Sequence, residues 1–288
     1  MSRSTVTRAL CAAVFALVFG IVASAVQAAP LYLIREAAPG TGLNDVLLKF
    51  DGGVLSEIGP TGFGDVRGLA WDHTTNTLFG LSRASSFNVN DSVNRLFTID
   101  LATGTGTAVG PFLPKAGSQQ PNTAEMAVDA GGTLYALGHA ADQTTVDTLF
   151  TVDKASGAGT AVGSFDNMLS GLAINHSSGQ ALGATPGGVL YEISLIDGGI
   201  LERGYSGATR IAFDQGVGTL WGIDGNNMLG TIDLLTLEMT PVLHLGNIAN
   251  GQVYAMDFVS AVPVPGALPL LASALALGAT GLRRRAAQ

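Results

Sequence analysis

Short apolar runs separated by turns rich in Gly, Ser, Thr and Asn fill the chain from residue 30 to residue 260, and one of these runs is periodic. An apolar residue, Ala, an apolar residue and then Asp or Asn recur as Leu69-Ala70-Trp71-Asp72, Met126-Ala127-Val128-Asp129, Leu172-Ala173-Ile174-Asn175, Ile211-Ala212-Phe213-Asp214 and Tyr254-Ala255-Met256-Asp257. The alanines lie 57, 46, 39 and 43 residues apart, which brackets the length of one four-stranded propeller blade. After each of the first four copies a turn leads to a second run, such as Thr77–Leu81 or Thr219–Ile223. A third run follows, clearest in Leu96–Asp100 and Leu149–Asp153, and then a fourth, such as Thr107–Gly110 or Thr160–Gly163. This pattern predicts four antiparallel strands per unit.

One strand is missing at each end, and the shortages match. Residues 31–34, 46–50 and 54–58 supply second, third and fourth strands with no first strand before them, while Tyr254–Asp257 is a first strand with no partners after it. Pairing the last strand with the first three removes both exposed edges. The expected fold is therefore all-β, a five-bladed β-propeller closed between its N- and C-terminal strands. The first strands are apolar on both faces, as strands packed between blades should be, and a small residue at the same position in all five lets them converge on an axis. The resemblance to WD- and NHL-type propellers is one of architecture only, and architecture does not specify function.

Both ends depart from this pattern. Arg3 and Arg8 precede an apolar stretch, Ala9–Ala25, that ends in Val26-Gln27-Ala28, so residues 1–28 read as a secretory signal peptide for signal peptidase. At the other end, residues 261–288 hold Val262-Pro263-Val264-Pro265, an uncharged stretch of 17 residues over 266–282, and Arg283-Arg284-Arg285. That stretch is at the lower limit for a transmembrane helix, and the arginines place its end on the cytoplasmic side. A short Pro-containing motif, one hydrophobic span and a terminal Arg cluster, in that order, resemble the PEP-CTERM sorting signal read by exosortases in Gram-negative bacteria. Val264 stands where the family name has an acidic residue. The resemblance implies export, inner-membrane anchoring through the tail, cleavage near the motif, and a final place in the periplasm, at the cell surface or outside. It also implies an association with extracellular polysaccharide and biofilm.

The middle domain, 29–260, carries 9 basic and all 22 acidic residues, a formal charge of −13 that argues against nucleic acid as a partner. The only cysteine, Cys11, lies in the signal, which excludes thiol catalysis and zinc–thiolate sites after processing.

The repeated Asp72, Asp129, Asn175, Asp214 and Asp257 are expected to cap the turn after each strand. The longest irregular segments, 83–94, 111–123 and 139–146, fall on one face of a propeller, a hint of a recognition surface. Segment 88–94 is rich in oxygen ligands but lacks the acids and fixed Gly of a calcium loop, and reads as a solvated polar loop. Arg67, Glu125 and Arg210 precede three signatures and should line the mouth of the axial channel, with His139 in a loop of the same face. These four are the candidate ligand-binding residues. The four histidines show no metal-ligand spacing, no Gly-x-Ser-x-Gly elbow occurs, and no cofactor is indicated.

The reading that follows is a non-enzymatic binding or structural propeller of the cell envelope, with polysaccharide or an envelope protein as its partner. The alternative is a propeller hydrolase or lyase acting on a lactone or sugar, with Glu125 and His139 as acid–base groups.

Overall fold

Strand edges decide the architecture, because a strand with unpaired N–H and C=O groups must find a neighbour. In a computed structural model describing residues 29–37, 44–83, 93–114, 125–139, 147–247 and 252–260, the strands form five four-stranded antiparallel sheets. Strands β1 (Leu31–Arg35), β2 (Val46–Asp51) and β3 (Val54–Pro60) form blade 1 together with the last strand, β20 (Val253–Phe258). Register pairs such as Leu31↔Phe258 and Ile34↔Ala255 close the ring. Blade 2 holds β4 (Val66–Asp72), β5 (Thr77–Ser82), β6 (Val93–Ile99) and β7 (Gly106–Pro114). Blade 3 holds β8 (Met126–Val128), β9 (Leu134–His139), β10 (Asp147–Val152) and β11 (Gly159–Phe165). Blade 4 comprises β12 (Gly171–Ile174), β13 (Ala181–Ala184), β14 (Val189–Ile193) and β15 (Ile200–Tyr205). Blade 5 comprises β16 (Ala208–Asp214), β17 (Thr219–Asp224), β18 (Met228–Ile232) and β19 (Met239–His244).

The five-bladed fold and its closure by β20 agree with the sequence pattern. The signal peptide 1–28 and the tail 261–288, including its motif residues and span, lie outside the described residues. No helix among the described residues is long and apolar enough to cross a membrane.

Burial falls from the axis outward. The innermost strands β4, β8, β12, β16 and β20 are almost wholly buried, and the signature alanines Ala70, Ala127, Ala173, Ala212 and Ala255 are all in the core. The outer strands β3, β15 and β19 are largely exposed. Five apolar clusters hold the blades together; one joins Phe79, Phe112, Phe150 and Met126 between blades 2 and 3.

Each blade carries a β-bulge between its third and fourth strands, with Ile58, Val109, Val162, Arg203 and Val242 as the extra residues. After the bulge the fourth strand meets the next blade. A Cβ on Gly110 would lie 1.9 Å from the Ser156 carbonyl oxygen, and one on Gly163 would lie 1.8 Å from that of Asp197, so only glycine permits this approach. Blade 5 has Leu243 at the equivalent place in its ladder.

The innermost strands begin on one face, which we call upper. The connections β5–β6, β7–β8 and β9–β10 join strand ends on that face, and residues 84–92, 115–124 and 140–146 within them lie outside the described set, as do most of segment 88–94 and the side chain of His139.

Candidate functional site

Innermost strands pair on one edge only, and the other edge of each faces the axis with its main-chain groups open. The structure closes these edges with side chains from the neighbouring blade, at all five interfaces. Asp257 of β20 accepts a 2.6 Å hydrogen bond from the Trp71 N–H of β4. Glu125, just before β8, accepts one of 2.8 Å from the Leu69 N–H of β4. His176, following β12, donates from Nε2 to the Val128 carbonyl of β8 at 2.8 Å. Between β12 and β16, Gln215 donates to the Ile174 carbonyl at 2.8 Å and accepts from the His176 N–H at 2.9 Å. Arg210 of β16 donates from Nε to the Tyr254 carbonyl of β20 at 2.6 Å. These bonds form a continuous belt around the axis.

The upper end of the belt is charged. The Arg67 guanidinium lies 3.6 Å from the centroid of the Tyr254 ring and pairs with Asp65, with Glu36 at 3.7 Å. Arg210 lies 5.7 Å from the same ring. Arg67 and Tyr254 both sit where the ladder skips a residue, Arg67 between Val66↔Ser82 and Gly68↔Leu81, and Tyr254 between Arg35↔Val253 and Ile34↔Ala255. Bulges of this kind re-aim side chains, and these two turn the pair toward the mouth. Burial opposes the charge of Arg67, but Asp65 and Tyr254 together outweigh it and hold the guanidinium above its ordinary pKa. Burial lowers that of Arg210, against the pull of Glu125.

Glu125 is 0% exposed, and its Oε2 has no hydrogen-bond partner among the described residues. Burial raises its carboxyl well above the usual range, against the Leu69 N–H and nearby Arg210, and so favours its protonated form. The sequence places it at the mouth of the channel; the structure encloses it, because its short approach to β8 leaves it over the open edge of β4. Burial also pushes Asp257 up to about 7, although it accepts two main-chain N–H groups. Asp257 departs from the turn-capping role that Asp72, Asp129, Asn175 and Asp214 fill, since its carboxylate accepts the Trp71 N–H of β4 and the N–H of the next residue, Phe258.

At the lower end the axis narrows to a cavity of about 10 Å3, room for one water, lined by Trp71, His176, Gln215, Asp257 and apolar neighbours. The rings of His73 and His176 lie 4.5 Å apart, a pairing of residues 103 positions apart that their spacing did not reveal. A carbonyl only accepts, so His176 carries a proton on Nε2; burial and His73 lower its pKa. No group of three or more potential metal-ligating residues occurs among the described residues.

A larger volume lies away from the axis. Between blades 4 and 5 the upper face opens into a groove of about 350 Å3, within the range of ligand pockets. Its walls are the β13–β14 turn at Pro186 and Gly187, the β15–β16 connection at Tyr205, Ser206 and Gly207, and the β17–β18 turn at Asp224, Gly225 and Asn226. Thr209, Met228, Met239 and Pro241 complete it. None of these residues carries a chemical motif, and sequence reasoning passed over them; the one available signal was Tyr205, an aromatic on an outer strand, which is 71% exposed.

No family model matches the sequence, and a comparison with curated proteins finds no match. Among solved structures, the chain is similar to a protein of unknown function from Bacteroides thetaiotaomicron, with 16% identity and a TM-score of 0.41 over 72% of this chain and 56% of that one. It is also similar to TolB from Acinetobacter baumannii, with 11% identity and a TM-score of 0.45 over 80% of this chain and 66% of that one. The chain thus spans less than two thirds of the length of either, and the likeness supports no functional inference.

Proposed function

We propose that this chain is an exported, envelope-associated binding propeller, delivered through its C-terminal tail, with its upper face as the recognition surface. The observation that carries the reading is the contrast on that face: the axial polar groups are engaged by neighbouring main chain, while the groove between blades 4 and 5 presents polar and aromatic side chains to open volume. Export is supported by the sequence of residues 1–28, and sorting by the Pro motif, the uncharged span and Arg283–Arg285. Signal peptidase and an exosortase are the processing partners this reading requires, and polysaccharide or an envelope protein is the partner of the mature domain.

Cell fractionation tests the delivery. The full chain is expected in the membrane or surface fraction, a chain ending at residue 261 in the soluble exported fraction, and a chain with Arg283–Arg285 replaced by Gln is expected to be retained poorly. A chain ending at 261 that still fractionates with the membrane would rule out tail-driven sorting.

A further inference from the structure

We propose that the groove between blades 4 and 5 binds an uncharged saccharide, with the Tyr205 ring stacked on a sugar face and Asp224 and Asn226 bonded to its hydroxyls. This rests on the binding reading above and names the ligand class of its site.

The lining excludes other ligand classes by its chemistry. It contains no Lys, Arg or His, so an anion would meet no counter-charge and would be repelled by Asp224. Its apolar part, Met228, Met239 and Pro241, is interrupted by polar side chains, unlike the continuous surface a lipid chain needs. What remains suits a molecule with apolar faces and a rim of hydroxyls.

Each feature of such a ligand has a counterpart. Tyr205 is 71% exposed at the end of β15 and offers a ring as a platform. Asp224 has one oxygen committed, since its Oδ1 accepts the N–H groups of Asn226 and Met228, both at 2.8 Å. Its Oδ2 has no partner among the described residues and is placed to accept hydroxyl protons. The Asn226 side-chain amide, exposed beside it, makes no hydrogen bond among the described residues and supplies both a donor and an acceptor. Gly187 and Gly225 are exposed turn residues that leave the main chain uncovered at the groove wall. The volume takes a mono- or disaccharide and stays open to solvent, so the site fits a unit within a longer glycan as well as a free sugar.

Saturation-transfer NMR and calorimetry on the full-length chain, with neutral hexoses, N-acetylhexosamines and their disaccharides as probes, test the assignment. At least one probe is expected to bind. Tyr205→Ala should weaken binding roughly tenfold by loss of the platform, and Asp224→Asn should weaken it several-fold while keeping the turn. Gly225→Phe, at a position where a Cβ meets nothing within 4 Å and φ is not positive, should block the groove without disturbing the fold. Absence of binding to every probe at tens of millimolar overturns the ligand class, and sugar binding that survives Gly225→Phe overturns the groove as its site. A lysine- or arginine-containing tripeptide that binds through Tyr205 where no sugar does overturns it in favour of a cationic partner. The two readings fail separately: if no sugar binds but Gly225→Phe abolishes association of the mature protein with isolated envelopes, only the saccharide assignment falls. If that variant associates normally as well, the groove is not the recognition site.

Discussion

The axis and the groove between blades 4 and 5 use similar residue types to opposite ends. At the axis, Glu125, Arg210, Asp257, His176 and Gln215 each bond to the main chain of a neighbouring blade, and the Glu125 oxygen left without a partner among the described residues is enclosed, away from any ligand. In the groove, Asp224 keeps one oxygen unpartnered among the described residues, Asn226 keeps its amide, and Tyr205 faces solvent. A charged residue beside an innermost strand therefore says little about ligands until its neighbour's main chain has been counted. Open strand edges at the axis demand partners, and an isolated buried N–H or C=O costs more than a paired one stabilises.

The comparison is broken most severely by removing the strand that completes the belt. Truncation at residue 250 deletes β20, which exposes the inner edge of β1 and removes both Asp257 from Trp71 and the Tyr254 carbonyl from Arg210. Loss of cooperative unfolding, or aggregation on expression, is the expected result. Ala255→Glu, at a position 0% exposed, should act in the same way by placing an unpaired carboxylate between blades. Circular dichroism melts decide the matter: a truncated chain with an unchanged transition would show that β20 is dispensable and the ring open.

A single belt residue gives a smaller effect with a diagnostic pattern. Glu125→Ala leaves the Leu69 N–H buried without an acceptor and should cost about 1–3 kcal/mol. Glu125→Gln keeps an acceptor and is uncharged, like the protonated carboxyl that burial favours, so it should retain most of that stability. Equal losses for both substitutions in urea unfolding would mean that Glu125 acts as a charge and not as an edge cap.

Acidity offers a third test. Burial raises Asp45 to about 6 and Asp257 to about 7, and raises Glu125 as well, whereas unfolded carboxyls titrate near ~4. Between those values the folded state binds more protons than the unfolded one, so stability should rise as pH falls from about 8 to about 6. His176, lowered by burial and by His73, opposes this below its unfolded pKa of about 6.5, because there the unfolded chain takes up the proton first. Asp72 is buried too, but hydrogen bonds from Lys154, Thr74 and Thr75 outweigh burial and depress its pKa, so its contribution is lost only at stronger acidity. Melting temperatures should therefore peak on the acid side of neutrality, and Asp257→Asn should flatten the rise. A flat or inverted profile in the native chain would show that these carboxyls stay charged.

The fold was legible because its information is local and periodic. Five copies of an Ala-centred strand, the first four each followed by further runs and the last matched by three unled runs at the start, specify blade number, strand order and closure without any long-range knowledge. The belt was not legible, since it joins residues such as Trp71 and Asp257 or Leu69 and Glu125 across blades, and no pattern in a single strand shows which main-chain group a side chain will meet. Sequence reasoning placed Arg67, Glu125 and Arg210 at the mouth of the axial channel, but only the structure shows that Glu125 is enclosed and that both arginines converge on Tyr254. The groove was invisible for a different reason. It is assembled from turns of two adjacent blades whose Gly, Asn, Asp and Ser residues read as ordinary turn formers, and concavity is a property of blade packing rather than of sequence.

The smallest effect on stability is expected in the groove, and that is what separates it from the axis. Tyr205 and Asn226 are exposed, and neither side chain carries a hydrogen bond that the fold depends on among the described residues. Tyr205→Ala and Asn226→Ala should each lie within about 0.5 kcal/mol of the native chain, as surface substitutions away from caps and buried bonds do. Asp224→Ala should cost more, about 1 kcal/mol, because its Oδ1 closes the β17–β18 turn on two N–H groups, whereas Asp224→Asn keeps an oxygen for both and should approach neutrality. Urea titrations of the four variants read this ordering directly. If Tyr205→Ala proves as damaging as Glu125→Ala, the ring is part of the packing between blades 4 and 5, and the distinction between a consumed axis and an open groove is lost.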